Sequence, residues 1–195
     1  MNSRILGLLA SVALAGPIAA NAGVILQDTT NGGIQVDFYE PIGQSFTAED
    51  PLVKFAFYFQ VFNPQFPNDP LELRLLTGDG VGGAELGSFG FSVPSGHMGF
   101  FDVDVSAIAL TAGQVYTAVL SVPGTSPYWG VQWNAGENPY SGGRAYAGDP
   151  NGYPQLVDHD MRFRVKPVGV PEPGTLALLG LGFAGLGLSR LRRAL

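Results

Sequence analysis

Cysteine is absent from all 195 residues, so the chain has no disulfide staple, no thiol nucleophile and no thiolate metal site. Charge is also scarce, at 13% Asp, Glu, Lys and Arg, and the middle of the chain lacks long runs of good helix formers. Basic residues are scarcer than acidic ones in that middle. Residues 23–168 carry six against fifteen acidic residues, a net charge of −9. A domain so acidic repels phosphate backbones, which argues against a nucleic-acid partner. There are only two histidines, His97 and His159, and no Gly-x-Ser-x-Gly elbow, His-Glu-x-x-His helix or phosphate loop. No catalytic set can be assembled from short motifs, so the expectation is a protein that is not an enzyme. The alternative is a glycan-active hydrolase using a carboxylate pair, although no residue pattern marks which two.

Glycine (28) and proline (15) exceed their usual share and favour strands and turns. Alternation with a period of two recurs, the mark of strands with one buried face. Phe55, Phe57, Phe59 and Val61 oppose Lys54, Ala56, Tyr58 and Gln60. The same holds for Leu71, Leu73 and Leu75, for Phe101, Val103 and Val105, and for Met161, Phe163 and Val165. Further candidate strands are Val24–Asp28, Ile34–Tyr39, Gly43–Ala48, Leu86–Val93, Gln114–Val122, Trp129–Trp133 and Arg144–Ala147, divided by turn signals such as Asn31-Gly32-Gly33 and Pro94-Ser95-Gly96. Val105–Leu110 is the only internal candidate for a helical turn. About ten short strands predict an all-β fold, an antiparallel β-sandwich of jelly-roll type, with a signal helix before it and a hydrophobic helix after it.

The first 22 residues follow the order of a secretory signal peptide: Arg4, an apolar run from Ile5 to Ala15, a Gly16-Pro17 break and Ala20-Asn21-Ala22. Cleavage after Ala22 starts the mature chain at Gly23 and implies passage through the Sec translocon. The expected organisation is a signal peptide over 1–22, the sandwich over 23–166, an extended Pro-rich linker over 167–174 and a hydrophobic helix with an Arg-rich end over 175–195. The apolar stretch Thr175–Leu188 is short beside the ~20 residues that cross a bilayer, so it is marginal as a permanent anchor. It suits a transient membrane stop, with the arginines held on the cytoplasmic side.

Pro171-Glu172-Pro173, the Gly-rich apolar segment and the cluster Arg190, Arg192, Arg193 together resemble the PEP-CTERM sorting signal of Gram-negative bacteria. The resemblance covers only the tail. It implies recognition by an exosortase, a membrane-embedded protease or transpeptidase, with cleavage near Pro-Glu-Pro. It further implies delivery to the cell surface or extracellular matrix, often in organisms that make exopolysaccharide. Such tails are sometimes filed as an ice-binding protein C-terminal domain, but the flat Thr-rich repeats of an ice-binding surface are missing here.

Within the sandwich, interaction-prone side chains concentrate between Tyr128 and Tyr153: Tyr128, Trp129, Trp133, Tyr140 and Tyr146, among Asn, Glu and Gly. Aromatic faces set among amides and carboxylates can stack on sugars, so these five form a candidate glycan-binding set. The competing reading is that the tryptophans, which share parity with Val131, fill the core. Asp149, Asp158 and Asp160, with Asn151, are a candidate oxygen cluster for calcium; Asp79 in Thr77-Gly78-Asp79-Gly80 reads better as part of a hairpin turn. No other cofactor is expected. Extracellular polysaccharide is the expected partner class besides the exosortase.

Overall fold

The structure is a computed structural model and describes residues 23–61, 70–124, 129–148, 154–156 and 158–168, with 154–156 described as backbone alone. The expected signal and tail helices, with Ala20, Ala22, Pro171, Glu172, Pro173 and the terminal arginines, lie outside the described residues, as do Tyr128 and Asp149.

Among the described residues the chain forms thirteen strands and one short 3-10 turn. The strands are β1 Ile25–Gln27, β2 Gly32–Gln35, β3 Ile42–Thr47, β4 Val53–Val61, β5 Pro70–Thr77, β6 Glu85–Ser92 and β7 Gly99–Asp104. They continue with β8 Val115–Ser121, β9 Trp129–Asn134, β10 Ala145–Gly148, β11 Pro154–Leu156, β12 Asp160–Met161 and β13 Phe163–Pro167. One sheet runs β1-β13-β4-β9-β12, with β7 on the other side of β4 and β2 on β9; the second runs β11-β10-β3-β8-β5-β6. Every recorded pairing is antiparallel. We call these the first and second sheets.

The sheets pack face to face through their alternate apolar residues. Phe46 of β3 meets Phe55 of β4 with ring centroids 5.4 Å apart, and Phe91 of β6 stacks on Phe101 of β7 at 5.6 Å. Phe55, Phe57, Phe59 and Phe163 are all buried, as are Leu71, Leu73, Leu75 and Leu120 from the facing sheet. The period-two pattern in the sequence is therefore the pattern of the core.

Two expectations need correction. Ile34–Tyr39 is only partly strand: Val36 N–H donates to the Trp129 carbonyl at 2.9 Å, and Asp37–Tyr39 then winds into the 3-10 turn, with Tyr39 N–H donating back to the Val36 carbonyl at 3.2 Å. Gly32-Gly33 is not a turn but the start of β2, paired with Trp133 and Gln132. A Cβ on Gly33 would lie 1.7 Å from the Gln60 amide nitrogen, so any larger residue there would have to displace the end of the Gln60 side chain. Val105–Leu110 makes the single turn expected of it, closed by Ile108 N–H to the Val105 carbonyl at 3.0 Å.

The two ends of the sandwich are brought together at one edge. Ile25 pairs with Val165 and Val53 with Pro167, and Val168 N–H donates to the Leu52 carbonyl at 2.8 Å. The sheet thus continues into the first residues of the Pro-rich segment.

Candidate functional site

The aromatic residues singled out between Trp129 and Tyr146 do not converge on one surface. Trp129 is 3% exposed, its ring set edge-on to Phe59 at 5.9 Å, so it belongs to the core and offers no face to a sugar. Trp133 is half-buried on the same inner side and packs on His159 at 4.9 Å. Tyr140 stands edge-on to Phe163 at 5.2 Å, and its hydroxyl accepts the Thr47 N–H at 3.2 Å, which fastens the segment after β9 to β3. Tyr146 is buried on the second sheet and donates to Asp79 Oδ1 at 2.5 Å. The core reading explains Trp129, and the tyrosines act as clamps.

Of the candidate oxygen cluster, Asp158 and Asp160 lie among the described residues. Asp160 is fully buried, and its partners are donors: Tyr140 N–H at 2.6 Å and Gln44 Nε2 at 2.9 Å. With its amide turned so that nitrogen faces the carboxylate, Asn138 adds a third at 2.8 Å. Asp158 is exposed. Among the described residues no three His, Asp or Glu side chains are grouped so as to hold a metal ion. Asp79 does sit in the β5–β6 turn, where Arg144 pairs with it at 3.2 Å. Partial burial there opposes ionisation, but hydrogen bonds from Ser45 and Tyr146 and the charge of Arg144 outweigh it and lower the Asp79 carboxyl below its ordinary value.

What the sequence reading missed is the outer face of the first sheet. Four of the six basic residues of 23–168 lie on it: Lys54, Arg162, Arg164 and Lys166. The register explains how they are accommodated. Arg164, Ala56 and Asp102 fall in one row across β13, β4 and β7, and the small Ala56 lets Arg164 reach over to Asp102 at 2.9 Å. Lys166 reaches the second oxygen of Asp102 at 2.9 Å, and Lys54 lies 3.7 Å from Asp104. Arg162 pairs with Asp28 at 2.5 Å, donates to Gln132 Oε1 at 2.6 Å and lies 3.8 Å over the Tyr58 ring. Tyr58 and Phe100 meet edge to face at 5.2 Å, with Arg164 4.7 Å over Phe100. Gln60 and Gln132 extend this polar-aromatic face, joined at 3.1 Å.

Arg162 is also where the first sheet branches. Its carbonyl accepts Tyr58 N–H at 2.9 Å and its own N–H donates to the Gln132 carbonyl at 2.8 Å, so β12 and β13 lie on either side of one junction residue. The sequence did carry a signal, since Lys54/Tyr58, Asp102/Asp104 and Arg162/Arg164/Lys166 all read as wet faces. Pairing them required the strand order.

Asp102 gives this face a testable pH dependence. Partial burial opposes its ionisation, but hydrogen bonds and charge from Lys166 and Arg164 prevail and lower the carboxyl below its ordinary 3.8. A carboxyl depressed in the folded state stabilises the fold above the unfolded value and loses that contribution as pH falls through the folded one. Asp102→Asn is expected to cost about 1 kcal/mol at pH 7, since the pairs are partly exposed. The cost should fade below the unfolded value near 3.8, measured by urea unfolding of both proteins from pH 7 to pH 3.

The address of the chain lies beyond this sandwich. A family model described as the PEP-CTERM protein-sorting motif matches residues 169–193. The tail is a PEP-CTERM sorting signal. The match begins one residue after Val168, the last residue described, and takes in Pro171, Glu172, Pro173, Arg190, Arg192 and Arg193. A PEP-CTERM signal implies export and delivery to the cell surface or extracellular space, with an exosortase as the processing partner. No curated protein and no solved structure matches the chain.

Proposed function

We propose that this protein is exported through the Sec translocon, processed by an exosortase, and works outside the cell as a non-catalytic binding or structural component of the exopolysaccharide matrix. The observation that carries the reading is the sorting signal at 169–193. The outer face of the first sheet supports a binding role. Tyr58 and Phe100 supply ring surface, while Gln60, Gln132 and Arg162 supply hydrogen-bonding groups around it. Aromatic surface set among amides and guanidinium groups suits the C–H faces and hydroxyls of a polysaccharide. The surface is already ordered by its own ion pairs, which lowers the entropy cost of holding a ligand.

Affinity electrophoresis tests this with the tail-processed protein recovered from the producing cells. The gels contain a panel of neutral and acidic polysaccharides, including that organism's own matrix, with and without calcium. Retardation by one polysaccharide, reduced about tenfold in apparent affinity by Tyr58→Ala, is expected if the face binds, since a lost stacking surface is worth about 1–1.5 kcal/mol. Uniform migration across the panel would remove the binding role and leave the structural one.

A further inference from the structure

The sorting signal and the folded sandwich are too close together to be handled separately. The first sheet is hydrogen-bonded as far as Val168, and Pro171 follows three residues later. Three residues span at most about 11 Å even when fully extended. An enzyme that closes around Pro171-Glu172-Pro173 must therefore bring its body against the end of the sandwich, unless β13 peels away. Peeling would undo the pairing of Pro167 with Val53 and of Lys166 with Lys54, and loosen the Lys166–Asp102 ion pair.

That end of the sandwich presents apolar side chains. Among the described residues six large hydrophobics are exposed, and three of them, Val24 (56%), Leu26 (52%) and Leu52 (40%), flank the last strand. Leu26 pairs beside Arg164 on one side of β13, with Val24 two residues before it; Leu52 lies on the other side, its carbonyl holding Val168. Scattered exposed aliphatics need no explanation, but three around the point where the chain leaves for its sorting signal do.

We propose that Val24, Leu26 and Leu52 form a docking rim for the outer face of the membrane-embedded sorting enzyme, covered while the tail is intact and released after cleavage. The inference rests on the exosortase reading given above and adds a surface to it. The recognised substrate is then the Pro-Glu-Pro signal together with the folded end that precedes it. The occupant is argued from chain length: the connector is short enough to force contact with whatever cuts the tail.

The test uses the full chain expressed in its producing organism, with pulse-chase immunoblotting of the tail-bearing and processed forms. Val24 is left unchanged because it lies beside the signal-peptide junction. The double variant Leu26→Ser, Leu52→Ser is expected to lose its tail about fivefold more slowly, the effect of withdrawing two aliphatic contacts. Inserting twelve Gly and Ser residues after Val168 removes the enforced contact, so in that longer chain the same double variant should be processed as fast as its unsubstituted parent. Wild-type speed of the double variant with the native connector would overturn the proposal. So would slow processing with both connectors, because a linker cannot rescue a folding defect. Co-flotation of the processed protein with phosphatidylethanolamine and phosphatidylglycerol vesicles, dependent on Leu26 and Leu52, would assign the rim to lipid and overturn it too. If Glu172→Ala leaves tail removal unchanged in the otherwise native chain, the sorting reading itself falls.

Discussion

Phe55→Ala is expected to destabilise the sandwich by about 3–5 kcal/mol, the range for removing a large aromatic from a packed core. Phe55 is 0% exposed and stands where both sheets meet. Its ring lies parallel to Phe163 at 5.8 Å, edge-on to Phe57 at 5.0 Å, and 5.4 Å from Phe46 across the core. Phe163 is its cross-strand neighbour but one, and Val165 sits directly opposite, so the cavity would open between β4, β13 and β3. The backbones bounding it are held by sheet hydrogen bonds and cannot collapse freely, which favours the upper part of the range. For a domain of this size the midpoint of thermal unfolding should fall by roughly 10–15 °C. Phe38→Ala is the control: that ring is 52% exposed, and its loss should cost no more than about 0.5 kcal/mol. Equal losses for the two variants, measured by denaturant unfolding, would contradict the placement of Phe55 at the centre of the core.

Phe55 was legible in the sequence because alternation survives in any register: whichever strand lies beside β4, Phe55, Phe57 and Phe59 share one face. The same reasoning correctly placed Leu71, Leu73 and Leu75, and Met161, Phe163 and Val165, and it raised the core as the competing account of Trp129. Turns were legible where glycine marks a positive φ, as at Gly78 and Gly96. It failed at Gly32-Gly33, which pairing with Trp133 and Gln132 of β9 holds in a strand, a partner the local sequence does not display. The short strand β11 was missed and β12 was read as one strand with β13, because two or three residues carry no periodicity of their own.

The outer face of the first sheet illustrates the larger limit. Arg164 and Asp102 are 62 residues apart in sequence, and their meeting depends on β7 and β13 choosing opposite edges of β4 and on Ala56 lying between them. No property of either segment alone states this. The tail was legible for the opposite reason, since a sorting signal is read by its receptor as a linear order of parts and needs no fold to be recognised.

Asp160 is a fully buried polar group that ties β12 to β3 and to the segment at Tyr140. Asp160→Ala is expected to cost about 3 kcal/mol at moderately acid pH, because it strands the buried Gln44 amide and the Tyr140 N–H without acceptors. The effect would spread: Gln44 Oε1 accepts the Met161 N–H at 2.7 Å, so a displaced Gln44 loosens β12 from β3 as well. The pH dependence should run opposite to that of Asp102. Burial dominates at Asp160 and raises its carboxyl above the ordinary 3.8, against hydrogen bonds from Tyr140 and Gln44 that lower it. A carboxyl raised in the folded state contributes stability that is complete below the unfolded value and is lost as pH rises through the folded one. The difference between wild type and Asp160→Ala should therefore be greatest at low pH and shrink as pH rises, whereas the difference for Asp102→Asn should be greatest at neutral pH and vanish in acid. Urea unfolding of the three proteins across pH 3 to pH 8 measures both slopes, with the other carboxylates cancelling in each comparison with wild type. Parallel slopes for the two variants would mean that Asp160 is held as an ion by its three donors, and that hydrogen bonding, not burial, governs the charge at the centre of this fold.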